Sequence, residues 1–515
     1  MRKIIALYIN ELIKVSRKVS VLVLISIMVI GVVVFGGFMK MQDFMRSPEG
    51  PDVVDKDWAM EQMKSELENS KSALAGVEAK LATASAEEKN YLNQEKIYLV
   101  SQIQLYTLGI EKEISIFGDD YRSDVLNTYN SMLQELKVME AVPEDSRTEQ
   151  QNLAISQARA KLDRYLQVMD TENYRAYLDI RNEQIQADNS RTANQKQIAV
   201  ESNELRYKMD PTGGISGETD YGGLSVAISE IETIKLALLD NIDYTMRNSP
   251  TLMPLTPKGR EQLEDQLTVL TYRLENGQGS TVYSAASSEY ALQGMFGFGS
   301  FIILILMMIL AGGSVSQEIA TGSIKSLIIS PTRRWKIFLA KVLSLLTVGL
   351  AALVILYTVV ILVNGLLNGF ASGMPYVFAS NGAAGEINFY LYRFLLLLVG
   401  FIEIVIYMAL ALMLSVITRN TAAAVGISIA VYFGGSIANS FIMAFSSGEW
   451  TKFIPFSNIS LTNEFFPFDI FSQIGGGLFN SGSTTSLPFS LVYVFVLLAC
   501  LGYTALDSFN RRDIK

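Results

Sequence analysis

SVSQEIATGSIKSLIISPTRRWKIFLAK, residues 314–341, is the polar break between two long apolar runs. It holds Glu318 among small hydroxyl residues, then Pro331, then the basic side chains Arg333, Arg334, Lys336 and Lys341. The runs on either side carry no charge over about 20 residues, the length that crosses a ~30 Å hydrocarbon core at 1.5 Å per residue. A polar segment between two such runs must lie at a membrane surface, so its sign decides which surface.

Working outward, FGFGSFIILILMMILAGG forms the body of one span (294–313), and the following run (337–365) forms the next. The stretch 314–336 between them is a surface loop in which Glu318 and Lys325, seven residues apart, share one face of a short helix ended by Pro331. Further spans read at 391–417, 422–445 and 487–506, separated by loops at 366–390 and 446–486 and by the tight turn Thr418-Arg419-Asn420. A short tail, 507–515, follows. Toward the N-terminus another charge-free run, 19–39, is too long for a signal-peptide core and lacks a small-residue cleavage site after it. The expected fold is therefore an all-α membrane protein of six spans.

Residues 1–18 place Ile5, Tyr8, Ile9, Leu12 and Ile13 on one helical face, which suits a helix lying along the membrane surface. Five basic residues (Arg2, Lys3, Lys14, Arg17, Lys18) stand there against the single acid Glu11. The break at 314–341 likewise has five basic residues against Glu318. Positive segments stay inside, so both termini and this break are expected in the cytoplasm of a plasma membrane, bacterial in character. The net charge of −9 then comes from the outer segments.

Between the first two spans lies a polar insert, 40–293, expected outside. Met60, Leu67, Leu74 and Leu81 recur every seven residues, with Met63, Val77 and Ala84 three positions on. A stripe of Leu92, Leu99, Ile103, Tyr106 and Ile110 continues after a phase slip. Ile155, Ala158, Leu162, Tyr165 and Met169 mark a second helical face, and Ile228, Ile231, Leu238 and Ile242 a third. The insert reads as a helical, coiled-coil-like hairpin or small bundle whose seam packs within the chain or against a second copy.

Several chemistries are excluded. The chain has no histidine, so it has no imidazole base or ligand, and its one cysteine, Cys500, sits in a span. No GxxxxGK[ST] stretch occurs, so no P-loop binds ATP here. No catalytic residues, cofactor, metal or nucleic-acid partner are expected in this chain.

The ordered run Glu318-x-x-Thr321-Gly322-Ser-Ile-Lys325-x-Leu-x-x-x-Pro331-x-Arg333, followed by Ala340-Lys341, closely resembles the loop between the second and third spans of ABC-2 type transporter permeases. The amphipathic N-terminal helix, the turn at 415–422 and the ending Phe509-x-Arg511-Arg512-Asp513-Ile514 are similar to other parts of that family. The resemblance covers 1–40 and 290–515; the insert departs from shorter members. It implies a permease subunit, an exporter, driven by a separate ABC ATPase that supplies ATP and Mg. Glu318, Thr321, Gly322, Lys325, Pro331, Arg333 and Lys341 are its implied ATPase-coupling residues. It also implies pairing as a homodimer or with a sister permease in the lipid bilayer; the transported substrate stays unknown. The competing resemblance is to Pip/YhgE-like or secretion-accessory surface proteins acting through a helical ectodomain, although their inserts are usually longer.

Glu403 lies mid-span in GFIEIVIYMA. A carboxylate there costs several kcal/mol unless it faces protein or water. It reads either as a pathway-lining acid or as a hydrogen-bond partner of a neighbouring helix. Asn364 and Asn439 read as interhelical hydrogen-bonders.

Overall fold

The computed structural model describes residues 2–46, 56–118, 120–216, 221–242, 254–277, 286–321, 333–370, 375–380, 382–445, 449–467 and 486–511. The chain divides into two compact units, one formed by Met1–Gln42, Ser287–Ser380 and Ala384–Lys515, the other by Asp43–Ala286 with 381–383. It begins with helices α1 (Arg2–Ser16) and α2 (Val19–Arg46).

The insert unit is helical throughout its described length: α3 (Lys56–Leu81), α4 (Ala86–Glu111), α5 (Tyr121–Glu140), α6 (Glu149–Thr171), α7 (Tyr174–Ala187), α8 (Ala193–Met209), α9 (Tyr221–Asp240) and α10 (Pro257–Glu275). The phase slip after Leu81 is the turn between α3 and α4. There Ser85 caps α4 by accepting from the Glu88 amide while the Glu88 carboxylate accepts from Ser85, a reciprocal capping box. The two helices fold back on each other, so the seven-residue seam packs within the chain: Val77, Leu92 and Leu99 are buried together with Leu74, Leu81 and Ala84 against them. Met63 lies over Gly109, where a Cβ would meet its methyl at 2.4 Å. The second face, carried by Ile155, Leu162, Tyr165 and Met169 of α6, is buried, as are Ile228 and Ile231 of α9. Around Tyr121, Tyr174, Tyr177 and Tyr221 the α5, α7 and α9 segments form an aromatic core, with ring centroids 4.9 Å apart for Tyr121 and Tyr174. Among the described residues eight α-helices stand where the apolar stripes marked three stretches. Short polar helices such as α8 carry a weak amphipathic signal and are started instead by caps, here Thr192 with Gln195.

The second unit contains the remaining helices: α11 (Ala286–Ala320), α12 (Arg334–Asn368), α13 (Phe389–Thr418), α14 (Thr421–Phe445), α15 (Pro455–Ile459), α16 (Thr462–Phe465) and α17 (Leu487–Arg511). Among the described residues six helices are long and apolar enough to cross a membrane, over Val19–Gln42, Ala291–Ala320, Arg334–Asn368, Phe389–Thr418, Thr421–Asn439 and Leu487–Arg511. This is an all-α, multi-pass membrane protein, with one small exception. The stretch 366–390 includes a two-stranded hairpin, β1 (Tyr376–Ser380) and β2 (Ala383–Ile387), whose Tyr376 stacks on Tyr392 of α13 at 4.6 Å.

Small residues let the spans approach closely. Phe298 of α11 covers Gly31 of α2, and Phe35 of α2 covers Gly294 of α11, so the two helices interlock reciprocally. Helix α11 does not stop at Gly313; it continues to Ala320, so Ser314 to Ala320 are its last two turns rather than a separate loop helix. Gly312 is retained inside a helix because α14 packs there: an added Cβ would lie 2.6 Å from Val425. Asn364 is hydrogen-bonded to Asn368 of its own helix at 2.9 Å, one turn on, where an interhelical bond was expected. Asn439 accepts from Ser457 of α15 at 2.9 Å, joining two elements as expected.

Candidate functional site

Lys341 sits two turns into α12 and is 2% exposed. Its ammonium donates to Glu318 of α11 at 2.7 Å and to Glu11 of α1 at 2.9 Å. Lys14, one turn after Glu11 on α1, also pairs with Glu318. Two carboxylates and two ammonium groups thus neutralise each other where three helices meet. A neutral cluster is what burial demands, since an unpaired ion there would cost several kcal/mol. Lys18 donates to Gln317 at 3.0 Å. Burial, with the neighbouring Lys14 and Lys341 cations, lowers the Lys18 ammonium below the usual lysine range. A cavity of about 190 Å³ opens beside the cluster, bordered by Lys14, Lys18, Gln317, Thr321 and Ser344.

The end of α11 is tied on its other side to the short turn between α13 and α14. The Ser316 amide donates to the Ser415 hydroxyl at 3.1 Å, and the Ser316 hydroxyl lies 2.7 Å from that of Thr421. Arg419 closes α13 in the left-handed conformation (φ 56°), and Asn420 caps α14 by accepting from the Ala422 and Ala423 amides. The start of α12 meets the last helix: Arg334 donates to the Asn510 carbonyl at 3.1 Å, and the Phe338 and Phe509 rings are 5.9 Å apart. Four segments distant in sequence therefore converge on one end of the bundle.

Helix α1 packs along the first part of α12, with Tyr8 bonded to Thr347 at 2.9 Å and Leu7, Leu12 and Val15 turned toward the core. Ile5, Ile9 and Ile13 remain exposed, an apolar stripe one residue in four. Of the residues singled out from the sequence, Glu318 and Lys341 are joined directly in the buried cluster. Thr321 and Arg333 are exposed at the two ends of the segment 322–332. Gly322, Lys325 and Pro331 lie outside the described residues. In this arrangement the Glu318 carboxylate faces Lys341 and Lys14 and is only 4% exposed, so contact with a partner would reach it through the cluster.

Glu403 stands apart, twelve residues before Ser415 on α13, or about 18 Å along the helix axis. It lines a cavity of about 240 Å³ bordered by α11, α12, α13 and α14, and it has no hydrogen-bond partner among the described residues. Arg393, 2% exposed, borders the same cavity and lies over the rings of Tyr392 and Phe389.

Sequence reasoning gave no role in this site to Glu11, Ser316, Ser415, Thr421 or Arg393. Glu11 stood out only as the one acid in a basic flank, and Ser415 and Thr421 only as parts of a turn; Ser316 carries the weak signal of a small polar residue near a span end. Nothing local marks them as mutual partners.

The family description "ABC-2 family transporter protein" matches residues 5–514. An uncharacterized protein of Bacillus subtilis (strain 168), YhcI, is 28% identical over 267 residues, which is 50% of this chain and 78% of that protein. No solved structure matches.

Proposed function

The chain belongs to the ABC-2 transporter family, and from that premise we propose that it is the permease subunit of an exporter powered by a separate ATPase. In this reading ATP and Mg bind on the partner. Both termini and the segment 314–336 face the cytoplasm of a bacterial cell membrane, and the permease works as a homodimer or beside a sister chain.

The observation that supports it most is the convergence of α1, the ends of α11 and α13, and the starts of α12, α14 and the C-terminal stretch on one end of the bundle. A force applied at Thr321 or Arg333 would reach the helix ends at once. The Glu11–Lys341–Glu318–Lys14 cluster transmits it to α1 and α12, and the Ser316 bonds transmit it to α13 and α14. Coupling needs rigid elements held by discrete contacts, and a buried neutral ion cluster supplies them.

The test is co-expression of the full chain with an ATPase encoded beside it, followed by co-purification. Association is expected with the native chain and loss of it with Gly322→Trp. Glu318→Ala is expected to keep less ATPase bound than Arg419→Ala does. Association that survives both Gly322→Trp and Glu318→Ala would refute the assignment of this end as the docking point.

A further inference from the structure

We propose that the cavity holding Glu403 is a binding site for a small amphiphilic organic cation, with the cationic group at the Glu403 carboxylate and the apolar body against its aromatic walls. This deepens the transport reading and rests on it for its role, though the binding itself can be measured without any ATPase.

The first observation is the carboxylate. Glu403 lies fourteen residues into the 30-residue helix α13, at mid-span, and lines the cavity without a hydrogen-bond or ion-pair partner among the described residues. An acid at such depth is stabilised either by a counter-charge or by taking up a proton, and among the described residues no lysine or arginine pairs with it.

The second is what surrounds it. Phe296, Phe301 and Tyr432 line the same cavity, with the Phe301 and Tyr432 rings 6.4 Å apart and Tyr407 set edge-on to Tyr432 at 5.1 Å. A carboxylate among aromatic faces is the arrangement that attracts an ammonium group, since each ring presents its negative face to a cation. The third is an orphaned acceptor. The side-chain oxygen of Gln293, also on the cavity, is buried with no hydrogen-bond partner among the described residues, so a donor on the ligand would satisfy it. The remaining walls, including Leu353 and Ile404, are apolar. Arg393 marks the other end, ten residues or about 15 Å away along α13. It gives the cavity a direction, because a cation is repelled there and drawn toward Glu403.

The experiment uses the full chain in lipid nanodiscs and three benzene-derived probes: benzyltrimethylammonium, its uncharged isostere neopentylbenzene, and the smaller anion benzenesulfonate. The cation should bind at least about tenfold more tightly than the isostere, the usual worth of one desolvated cation–π or ionic contact. Glu403→Gln, close in shape, should remove that preference while the thermal midpoint stays near that of the native chain. Tyr432→Leu should weaken cation binding and leave the isostere unchanged, and it serves as the second variant if Glu403→Gln fails to fold. Equal binding of cation and isostere, or cation binding unaffected by Glu403→Gln, overturns the proposal. Preference for benzenesulfonate, lost on Arg393→Gln, overturns it too and assigns the cavity to anions. ATPase association plays no part in these measurements, so failure here and failure of the permease reading are separately visible.

Discussion

Lys341 and Glu318, 23 residues apart in sequence and on different helices, meet at 2.7 Å with both side chains almost fully buried. Glu11, 330 residues from Lys341, completes the contact from α1. An ion cluster of this kind behaves as a unit: its members stabilise each other, and each is costly when left alone.

Lys341→Met should therefore destabilise the chain by about 3–5 kcal/mol, since it leaves the two carboxylates of Glu11 and Glu318 sharing the one ammonium of Lys14. Adding Glu11→Gln and Glu318→Gln should recover part of that loss. Thermal unfolding in detergent of the single and combined variants checks this. Strict additivity, within about 0.5 kcal/mol, would mean these three side chains are not coupled.

Gly312→Ala places a methyl 2.6 Å from the Val425 side chain and pushes α11 away from α14. The shift also strains the Ser316–Thr421 contact one turn on. A loss of about 1–3 kcal/mol is expected, typical of overpacking. Val425→Ala should restore most of it. Absence of rescue in the double variant would show that contact with Val425 is not the cause; helix propensity cannot account for a loss, because for Gly to Ala it has the opposite sign.

Gly213 in the insert has φ 61°, and a Cβ there would sit 2.6 Å from the Tyr121 ring and 2.8 Å from Tyr174. Its carbonyl also accepts from the Tyr121 amide at 2.8 Å. Gly213→Ala pays about 1–2 kcal/mol for the left-handed backbone and more for the clash. Limited proteolysis of the whole protein should cut the insert of this variant sooner than that of Gly277→Ala, where φ is also positive but the surroundings are open.

Asp124 lies at the edge of the aromatic core with its side chain partly exposed, and the loss of surrounding water pushes its carboxyl above the usual carboxylate range even though Tyr221 donates to it at 3.1 Å. A carboxyl raised in the folded state favours folding while protonated, and that contribution disappears as pH rises through the raised range. Glu230 is raised for the same reason, against a hydrogen bond from Gln266. Asp124→Asn removes the titration, so the thermal midpoint of the variant should gain on the native chain as pH increases from about 4 to 7. A difference independent of pH would show that Asp124 titrates normally.

The apolar spans were legible because each is a local composition: no charge over the width of a hydrocarbon core, whatever the neighbours. The Met60–Leu67–Leu74–Leu81 seam was legible for a similar reason, being a period within one helix, although its partner was not. The turn that reverses the chain at Thr83–Ser85 supplies that partner from α4. The boundary at Gly313 was misplaced because two glycines look like a stop. Gly312 instead lets Val425 of α14, 113 residues away, pack close, while Gly313 lies under the Gln317 side chain of its own helix. At the candidate site Glu318 and Lys341 were picked out, but as separate surface groups, and Arg393 was not noticed near the aromatic end of α13.

Hydropathy and the placement of positive charge determined by themselves that this chain crosses a membrane six times with one large helical insert, because transfer into lipid is a cost each segment meets alone. Which charge neutralises which was decided only by the tertiary structure. A lysine flanked by apolar residues can satisfy its burial with any carboxylate in reach, and only the packing of α1 along α12, with α11 ending beside them, makes Glu11 and Glu318 the ones within reach.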